Sequence, residues 1–376
     1  MITDAITNAT SSVWIEMYEW TNPHVMQALL QRKNQANTAN QPFDVQIMLY
    51  EQAPANTYNP SHFTAPDGSD FTLSSSTEII AQLQQLNMGI QASFCNAVVD
   101  TEKHAKFMVI DGKTAYIMTA NFTEVALGGS SYSNWPAHVI GEVVHALGAA
   151  LTHGATTGGS RPEINREYIV VDNDANDVHA LKTLFQNDWN QQAPDFTTLY
   201  ASAPNLLISG SNAHPTPTNS RVLLHALINF ACQQNSDIAI EMETLCDESP
   251  GAGIGSIEQA LIDAARQGIT VRIILSYMAG QSIDTSNAQA IQTLTAALQS
   301  QSPQKLFMRK DTKKYMHAKL ILTEGMAFVG SQNLTPGGLA WNREVGILVS
   351  DTTALGQLKQ AFESDWDEST DVSALN

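Results

Sequence analysis

The feature that most constrains this chain is an internal duplication: four sequence blocks occur twice, in the same order. In the first half they are VWIEMYEW, FDVQIMLY, NREYIVVDN and LFQNDWN, and in the second half they are IAIEMETL, ITVRIILS, NREVGILVSD and AFESDWD. In both copies 24 residues separate the Asn of Asn-Arg-Glu from the Trp of Asp-Trp. Chance does not preserve four blocks in order, so the chain consists of two repeats of one structural unit.

The pattern within each repeat predicts an α/β unit. Short β-branched apolar runs alternate with segments of helical spacing such as PHVMQALLQRKNQ and SIEQALIDAARQG. Each repeat is expected to run strand, helix, strand, insertion, three strands and a closing helix. Apolar strands that alternate with helices indicate a sheet covered on both faces. We therefore predict two similar lobes about a pseudo-twofold axis, each a mixed β-sheet flanked by helices, with residues 1–200 in the first and 201–376 in the second.

The first repeat carries insertions that are shorter or missing in the second. One is a polar loop over residues 51–77, and the other lies within residues 122–164. From Asn121 to Asn165 is 44 residues, whereas the equivalent step in the second repeat is 9 residues. An apolar insertion of this length is expected to form a packing or lid segment, or to line a substrate entrance.

Three histidines of the second insertion, His138, His145 and His153, fall near one face of a predicted helix. They have no carboxylate among them and stand about two helical turns apart, which makes them a poor metal-binding set. We predict a packing segment here in preference to a metal site, and no metal or other cofactor elsewhere.

The composition of the 376 residues, 43% hydrophobic and 7% aromatic, is that of an ordinary globular protein. No apolar run approaches the roughly 18 residues of a membrane span. The N-terminal sequence does not have the pattern of a signal peptide, so we expect a soluble protein. The first repeat begins abruptly at Met1, and we expect upstream residues in the natural protein, an export signal being one option. Cys95, Cys232 and Cys246 are too few for a disulfide framework, but one disulfide, and with it the cell compartment, stays open.

The formal net charge of −18 disfavours a long polyanion such as nucleic acid as the partner. Basic residues are nevertheless concentrated just before the second His-Ala-Lys sequence, namely Lys305, Arg309, Lys310, Lys313 and Lys314. Charge runs are often solvated loops. The position of this one beside a candidate site favours a local attractor for anions.

The candidate site is the motif His-Ala-Lys, which occurs as HAKFMVID from His104 and as HAKLILTE from His317. Alternation along a strand would put the histidine and the lysine on one face, about 7 Å apart. An asparagine, Asn121 or Asn333, ends the next strand in each repeat. If the lobes pair about a twofold axis, two His, two Lys and two Asn converge on one point between them.

This set of side chains suits a phosphodiester substrate. One neutral imidazole can attack phosphorus and form a phosphohistidine. The other, protonated, can donate a proton to the leaving alcohol and then accept one from the incoming water. Lysine and asparagine donors can hold the non-bridging oxygens, so that no metal ion is required. The alternative, two hydrogen-bonded core histidines, does not explain why the whole motif is repeated.

The chain resembles the phospholipase D superfamily, whose signature is His-x-Lys-x4-Asp followed by Gly/Ser-x-Asn. HAKFMVID meets the first part, with MTAN in place of the second; HAKLILTE has Glu324 where the family has Asp, and GSQN matches. The resemblance covers essentially the whole chain. It implies that His104 is the nucleophile and His317 the general acid and base, with phosphate oxygens bound by Lys106, Lys319, Asn121 and Asn333.

The resemblance also implies supporting roles. Glu167 and Glu344 would accept from an imidazole N–H and fix its tautomer. Asp111 and Glu324 would be structural. The residues two positions before the asparagines, Thr119 and Ser331, are assigned to substrate binding.

We predict a phospholipase D-like phosphodiesterase, a monomer that hydrolyses or transfers a phosphodiester, most consistent with a phospholipid. Two alternatives remain: an endonuclease of the same superfamily guided by the basic stretch, and a catalytically silent protein that binds a phosphorylated ligand or a protein partner. Headgroup preference is not encoded in any motif.

Overall fold

The computed structural model describes residues 1–51, 53, 60–95, 102–127, 143–147, 165–210, 219–247, 255–276, 285–299, 303–311 and 314–372. The first repeat contains α1 (Ile2–Asn8), β1 (Ser12–Met17), α2 (Pro23–Thr38), β2 (Asp44–Tyr50), β3 (Ser61–Thr64), β4 (Asp70–Leu73), α3 (Ser76–Gln85), β5 (Gln91–Cys95), β6 (Phe107–Ile110), β7 (Thr114–Met118), α4 (Glu124–Leu127), β8 (Val143–Leu147), β9 (Asn165–Asp172) and α5 (Ala175–Trp189). Helix α6 (Phe196–Ser202) connects the repeats.

The second repeat contains β10 (Leu206–Ser209), α7 (Asn219–Gln234), β11 (Ile238–Met242), α8 (Ile257–Arg266), β12 (Val271–Leu275), α9 (Thr285–Leu298), β13 (Leu306–Lys310), β14 (Tyr315–Met316), β15 (Lys319–Leu322), β16 (Ala327–Gly330), a π-helical turn (Gly337–Trp341), β17 (Glu344–Val349), α10 (Thr352–Glu368) and β18 (Thr370–Asp371).

Each repeat forms one mixed sheet. The first sheet has the order β14-β9-β7-β6-β1-β2-β5, with β8 also paired to β9, and the second has the order β10-β17-β16-β15-β11-β12-β13-β18. In both sheets the first long strand is parallel to the next one and antiparallel to the strand that follows the His-Ala-Lys motif. The two sheets therefore share one topology, as the duplication predicts.

Three apolar clusters form the core. One belongs to the first repeat, around α1, α2 and α3, and one to the second repeat, around α7, α8 and α9. The third contains buried residues of both repeats, including Phe107 and Phe185 from the first and Leu320 and Phe362 from the second. The closing helices α5 and α10 contribute to this shared cluster, which packs the lobes against each other.

Buried ion pairs also connect the lobes, and they do so crosswise. Arg343 of the second repeat donates to Asp188 of the first at 2.8 and 3.0 Å, and Arg166 of the first repeat pairs with Asp365 of the second. Lys103 adds a further bond to Asp188 at 2.7 Å. Burial would raise the pKa of Asp188, but Arg343 and Lys103 hold that pKa below its usual value. The reciprocal pairs are those that a pseudo-twofold arrangement requires.

The insertions differ from the sequence prediction. The segment predicted as a polar loop over residues 51–77 contains the hairpin β3–β4 and the start of α3. The insertion after the second strand of each repeat also contains a helix and a further parallel strand, α3 with β5 and α9 with β13. Sequence analysis missed these two strands.

The predicted helix around His145 is wrong. Residues Val143–Leu147 form β8, which pairs antiparallel with β9, His145 lying opposite Ile169. The edge of β9 offers backbone hydrogen bonds to a strand, and this tertiary pairing decides the conformation of a short Val-rich segment. His138 and His153 lie outside the described residues.

The boundary that we place between residues 200 and 201 falls within α6. One short strand of the second repeat belongs to the sheet of the first, because β14 pairs with β9. Among the helices described, none is long and apolar enough to cross a membrane.

Candidate active site

The segment that carries each histidine is paired with the Asn-Arg-Glu strand of the other repeat. The backbone N–H of His104 donates to the carbonyl oxygen of Arg343 at 2.9 Å, and the N–H of Arg343 donates to Glu102 at 2.7 Å. In the second repeat, β14 pairs in parallel with the start of β9, where Met316 lies beside Arg166. This pairing brings each histidine next to the glutamate of the opposite repeat.

His104 is bound by Glu344. Its Nδ1 donates to the carboxylate at 2.9 Å, which leaves Nε2 as the ring nitrogen available for chemistry. The side chain of His104 is 12% exposed and that of Glu344 is 1% exposed. Burial lowers the pKa of His104 against the opposing effect of Glu344, and the charge of Lys106 lowers it further. A neutral imidazole with a bound Nδ1–H is the form that a nucleophile needs.

His317 has the reciprocal arrangement. Its Nδ1 lies 2.7 Å from Oε1 of Glu167. Glu167 is fully buried and accepts from the Thr119 hydroxyl at 2.6 Å and the Asn165 amide at 3.1 Å. Burial would raise the pKa of Glu167, but His317 holds it below its usual value. The carboxylate is therefore ionised and fixes the orientation of the ring.

The two lysines of the motifs are fully buried behind the histidines. The ammonium group of Lys106 donates to the carbonyl oxygen of His104 at 2.8 Å, and that of Lys319 donates to the carbonyl oxygen of His317 at 2.7 Å. Burial lowers the pKa of Lys106 to about 7, and the charge of Lys319 lowers it too, although the surrounding glutamates oppose this. The effect of Lys319 on Lys106 places both cations in one electrostatic environment.

The two asparagines differ in their contacts. Asn333 donates to Glu243 at 3.1 Å and accepts from the N–H of Thr244 at 3.2 Å. Asn121 is 8% exposed, and within the described part of the chain its Oδ1 has no hydrogen-bond partner. In the described residues Asn121 therefore has no counterpart of the bond between Asn333 and Glu243.

Sequence analysis missed Glu243. Its carboxylate accepts from Lys319 at 2.7 Å and from the hydroxyl of Tyr315 at 2.9 Å, and it lies 3.6 Å from Nε2 of His317. Burial would raise the pKa of Glu243, but His317 and Lys319, with a further effect of His104, hold it well below the usual value. The carboxylate of Glu243 thus lies against the histidine and the lysine of the second motif.

In the aligned repeats Glu243 corresponds to Tyr18, because both follow the sequence Ile-Glu-Met. The ring of Tyr18 packs edge-on against His104, with centroids 4.8 Å apart, and the ammonium of Lys106 lies 5.1 Å from the ring centroid of Tyr18. Burial and Glu102 raise the pKa of Tyr18, which therefore stays a neutral phenol. The two halves of the site are therefore unlike at this position.

Thr119 and Ser331, which we assign to substrate binding, have their hydroxyls engaged in bonds within the protein. Both side chains are fully buried. Thr119 is bonded to Glu167, and the hydroxyl of Ser331 accepts from the N–H of Val345 at 3.0 Å. They stabilise the strands that carry the glutamates and act as positioning residues.

Asp111 and Glu324, at the ends of the two motifs, lie apart from the histidines. The carboxylate of Asp111 accepts from the N–H groups of Thr10, Ser11 and Ser12 at 2.6 to 3.0 Å. These bonds hold the pKa of Asp111 well below its usual value although burial opposes them. Glu324 is exposed, and its backbone N–H approaches Ser236. We therefore expect the exchange of Asp for Glu at this position to leave the histidines in place.

Two side chains of the basic stretch are engaged in contacts with α10. Lys314 donates to Asp365 at 2.6 Å, and Arg309 donates to the carbonyl oxygen of Trp366 at 2.6 Å while lying over its indole ring. Lys313 lies outside the described residues. The contacts of Lys314 and Arg309 weaken the interpretation of this stretch as an attractor for anions.

No group of three or more metal-ligating side chains occurs in the described ranges. Cys95, Cys232 and Cys246 all lie in those ranges and form no disulfide bond.

A family model described as cardiolipin synthase, PLD-like domain, matches residues 2–140 and 228–366. The chain belongs to the phospholipase D-like family. The model matches once in each repeat of this phospholipase D-like protein and so follows the duplication. The search of curated proteins returned no match.

Two solved structures with TM-scores above 0.5 show the same fold at low identity. Phosphatidylserine synthase of Haemophilus influenzae Rd KW20 is 13% identical with a TM-score of 0.60, over 98% of this chain and 82% of that one. Polyphosphate kinase of Porphyromonas gingivalis is 12% identical with a TM-score of 0.55; the match covers 97% of this chain but only 44% of the kinase. Nuc of Salmonella typhimurium is 17% identical over 44% of this chain and 96% of that chain, with a TM-score of 0.33.

Proposed function

We propose that this phospholipase D-like protein is a phosphodiesterase that works through a covalent phosphohistidine. The observation that carries the proposal is the crosswise pairing of His104 with Glu344 and of His317 with Glu167. Each pair fixes one imidazole with Nε2 toward the shared site. Structural histidines have no need of reciprocal carboxylates from opposite repeats.

In the first step Nε2 of His104 attacks phosphorus, and the bond from phosphorus to the leaving alcohol oxygen breaks. His317 gives its proton to that oxygen. In the second step His317 takes a proton from water, the water oxygen attacks phosphorus, and the P–N bond to His104 breaks. An alcohol in place of water gives transfer instead of hydrolysis. Lys106, Lys319 and the amides of Asn121 and Asn333 stabilise the charge on the non-bridging oxygens.

A phospholipid is the substrate class that we favour. The net charge of −18 opposes binding of a long polyanion. The basic stretch that would favour nucleic acid has Lys314 and Arg309 engaged in contacts with α10. The matching family model, moreover, is described by the name of a phospholipid synthase.

The test is turnover of bis(4-nitrophenyl) phosphate with a chelator present. We expect activity that survives chelation and is lost in His104→Ala and in His317→Ala. His179→Ala, at an exposed histidine on α5, is the matched control and should keep full activity. Activity retained in both site variants would exclude the mechanism. Phosphatidylcholine, phosphatidylglycerol and single-stranded DNA, offered in parallel, then separate the lipid from the nucleic-acid alternative.

A further inference from the structure

The carboxylate of Glu243 occupies a set of donors that would otherwise be available to phosphate. One oxygen, Oε2, lies 2.7 Å from the ammonium nitrogen of Lys319, 3.1 Å from the amide nitrogen of Asn333 and 3.6 Å from Nε2 of His317. In the proposed function a non-bridging phosphate oxygen would be bound by the same lysine and asparagine, close to the same imidazole. A carboxylate oxygen can take this place because it is also an anionic acceptor.

Among the described residues, the first repeat has no carboxylate at the equivalent position. Tyr18 stands at the position equivalent to Glu243, and its neutral ring packs on His104 and Lys106. Among the described residues, the ammonium of Lys106 has one hydrogen-bond partner, the carbonyl oxygen of His104. A ligand entering the site therefore meets one half that can accept it and one half that is already filled.

The backbone at Glu243 is fixed, whereas its side chain can be displaced. The N–H of Glu243 donates to the carbonyl oxygen of Ala318 at 3.1 Å, and its carbonyl oxygen accepts from the amide of Asn287 at 2.9 Å. The side chain itself is 17% exposed, more than that of His317 or Lys319. Neither backbone bond involves the carboxylate, so displacement of the carboxylate does not require either of them to break.

We propose that Glu243 is an internal competitor of the phosphoryl ligand, held on the donors of the second repeat until a phosphodiester displaces it. The inference rests on the proposed function, because it assumes that these donors bind a phosphoryl group. Its consequence is selectivity: a small anion such as inorganic phosphate must replace an ion pair that already exists, whereas a diester gains further contacts from its two substituents. Glu243 thereby reduces occupancy of the site by free phosphate.

The experiment is a calorimetric titration of inorganic phosphate into the full chain at constant pH, which does not depend on turnover. Glu243→Gln keeps the shape of the side chain and removes its charge, and we expect it to bind phosphate at least about tenfold more tightly than the original protein. Asp263→Asn, which removes one carboxylate from the exposed surface of α8, should leave the affinity unchanged. Adding Lys106→Met to Glu243→Gln should abolish the gain, which places the ion at this site.

Equal or weaker phosphate binding by Glu243→Gln would overturn the inference. Tyr315→Phe is the second variant, because it retains every charge but removes the hydroxyl that donates to Oε1 of Glu243. We expect it to tighten phosphate binding by about threefold, and no change in a folded Tyr315→Phe protein would also count against the inference. Tighter binding by Glu243→Gln without diester turnover in the original protein would instead contradict the proposed function and leave the inference intact.

Discussion

Glu344, in the second repeat, accepts a hydrogen bond at 2.9 Å from Nδ1 of His104, in the first. Glu167 occupies the reciprocal position, with its Oε1 2.7 Å from Nδ1 of His317. A buried carboxylate at Nδ1 selects the tautomer whose Nε2 faces the site and stabilises the imidazolium when it forms.

Replacement of either glutamate by glutamine should therefore reduce the rate without unfolding the protein. We expect Glu344→Gln and Glu167→Gln each to lower kcat by about 10²-fold or more, because an amide can present the wrong hydrogen-bonding group to the ring. Turnover of the chromogenic diester measures the effect, and circular dichroism checks the fold. Full activity in both variants would show that the carboxylates do not orient the histidines.

The two histidines should differ in covalent labelling. With a diester whose leaving group is a phenol of low pKa, departure needs no proton, so His317→Ala should still form the phosphohistidine but hydrolyse it slowly. His104→Ala should form none. Mass spectrometry of the quenched protein, with a mass increase on the peptide containing His104, provides the measurement. A label on His317 in the original protein would reverse the two roles.

The pH dependence should reflect Lys106. Because burial lowers its pKa to about 7, the ligand-free protein loses this ammonium proton above neutrality, and substrate binding must then take the proton up again. KM should consequently rise by up to about tenfold per pH unit above pH 7, with kcat affected less. Lys106→Arg, which stays charged, should bind more weakly at neutral pH but show a flat profile. A flat profile in the original protein would contradict the assignment.

Stability should depend on the crosswise ion pairs. Arg343→Met leaves the buried carboxylate of Asp188 with Lys103 as its remaining cation, and we expect a loss of about 3–5 kcal/mol in the free energy of unfolding. Arg266→Met, which breaks the exposed 3.6 Å contact with Asp263, should cost less than about 1 kcal/mol. Urea denaturation compares the two variants. Equal effects would mean that the buried pair is not what connects the lobes.

Replacement of Asp111 should destabilise the protein more than replacement of Glu324, and neither replacement should abolish catalysis. Asp111→Ala removes the acceptor for three backbone N–H groups at the start of β1, and we expect a loss of about 2 kcal/mol. Glu324→Ala, at an exposed position, should change stability by less than about 0.5 kcal/mol. Turnover measured well below the unfolding temperature should be retained in both. Loss of activity in the folded Glu324→Ala protein would contradict the prediction that Glu324 takes no part in catalysis.

The duplication made the overall fold predictable. Two copies of one strand and helix pattern imply two similar sheets, and the repeated His-Ala-Lys implies that they meet, which the crosswise contacts of His104 with Glu344 and of His317 with Glu167 support. The strand identity of Val143–Leu147 was not predictable in the same way, because it is decided by pairing with β9 and not by the segment itself. Local sequence pattern predicts a helix or strand well only where pairing with another strand does not decide its conformation.

Glu243 was missed for a different reason. The alignment of IEMYEW with IEMETL shows that Tyr18 and Glu243 differ, but a single carboxylate after a strand does not reveal which way it points. Thr119, two residues before Asn121, is assigned to substrate binding, and its hydroxyl donates to Glu167. Side-chain direction at strand ends depends on the packing of the other repeat, and that information is not local.

The exchange of glutamates between repeats has an evolutionary consequence. A single ancestral copy could have built this centre only as a symmetric pair of identical chains, in which every mutation appears on both sides at once. Joining the copies in one gene removed that constraint, so that one half could acquire a carboxylate where the other has a phenol. Divergence of the halves, impossible in an identical pair, gives the two imidazoles different neighbours, a phenol beside His104 and a carboxylate beside His317.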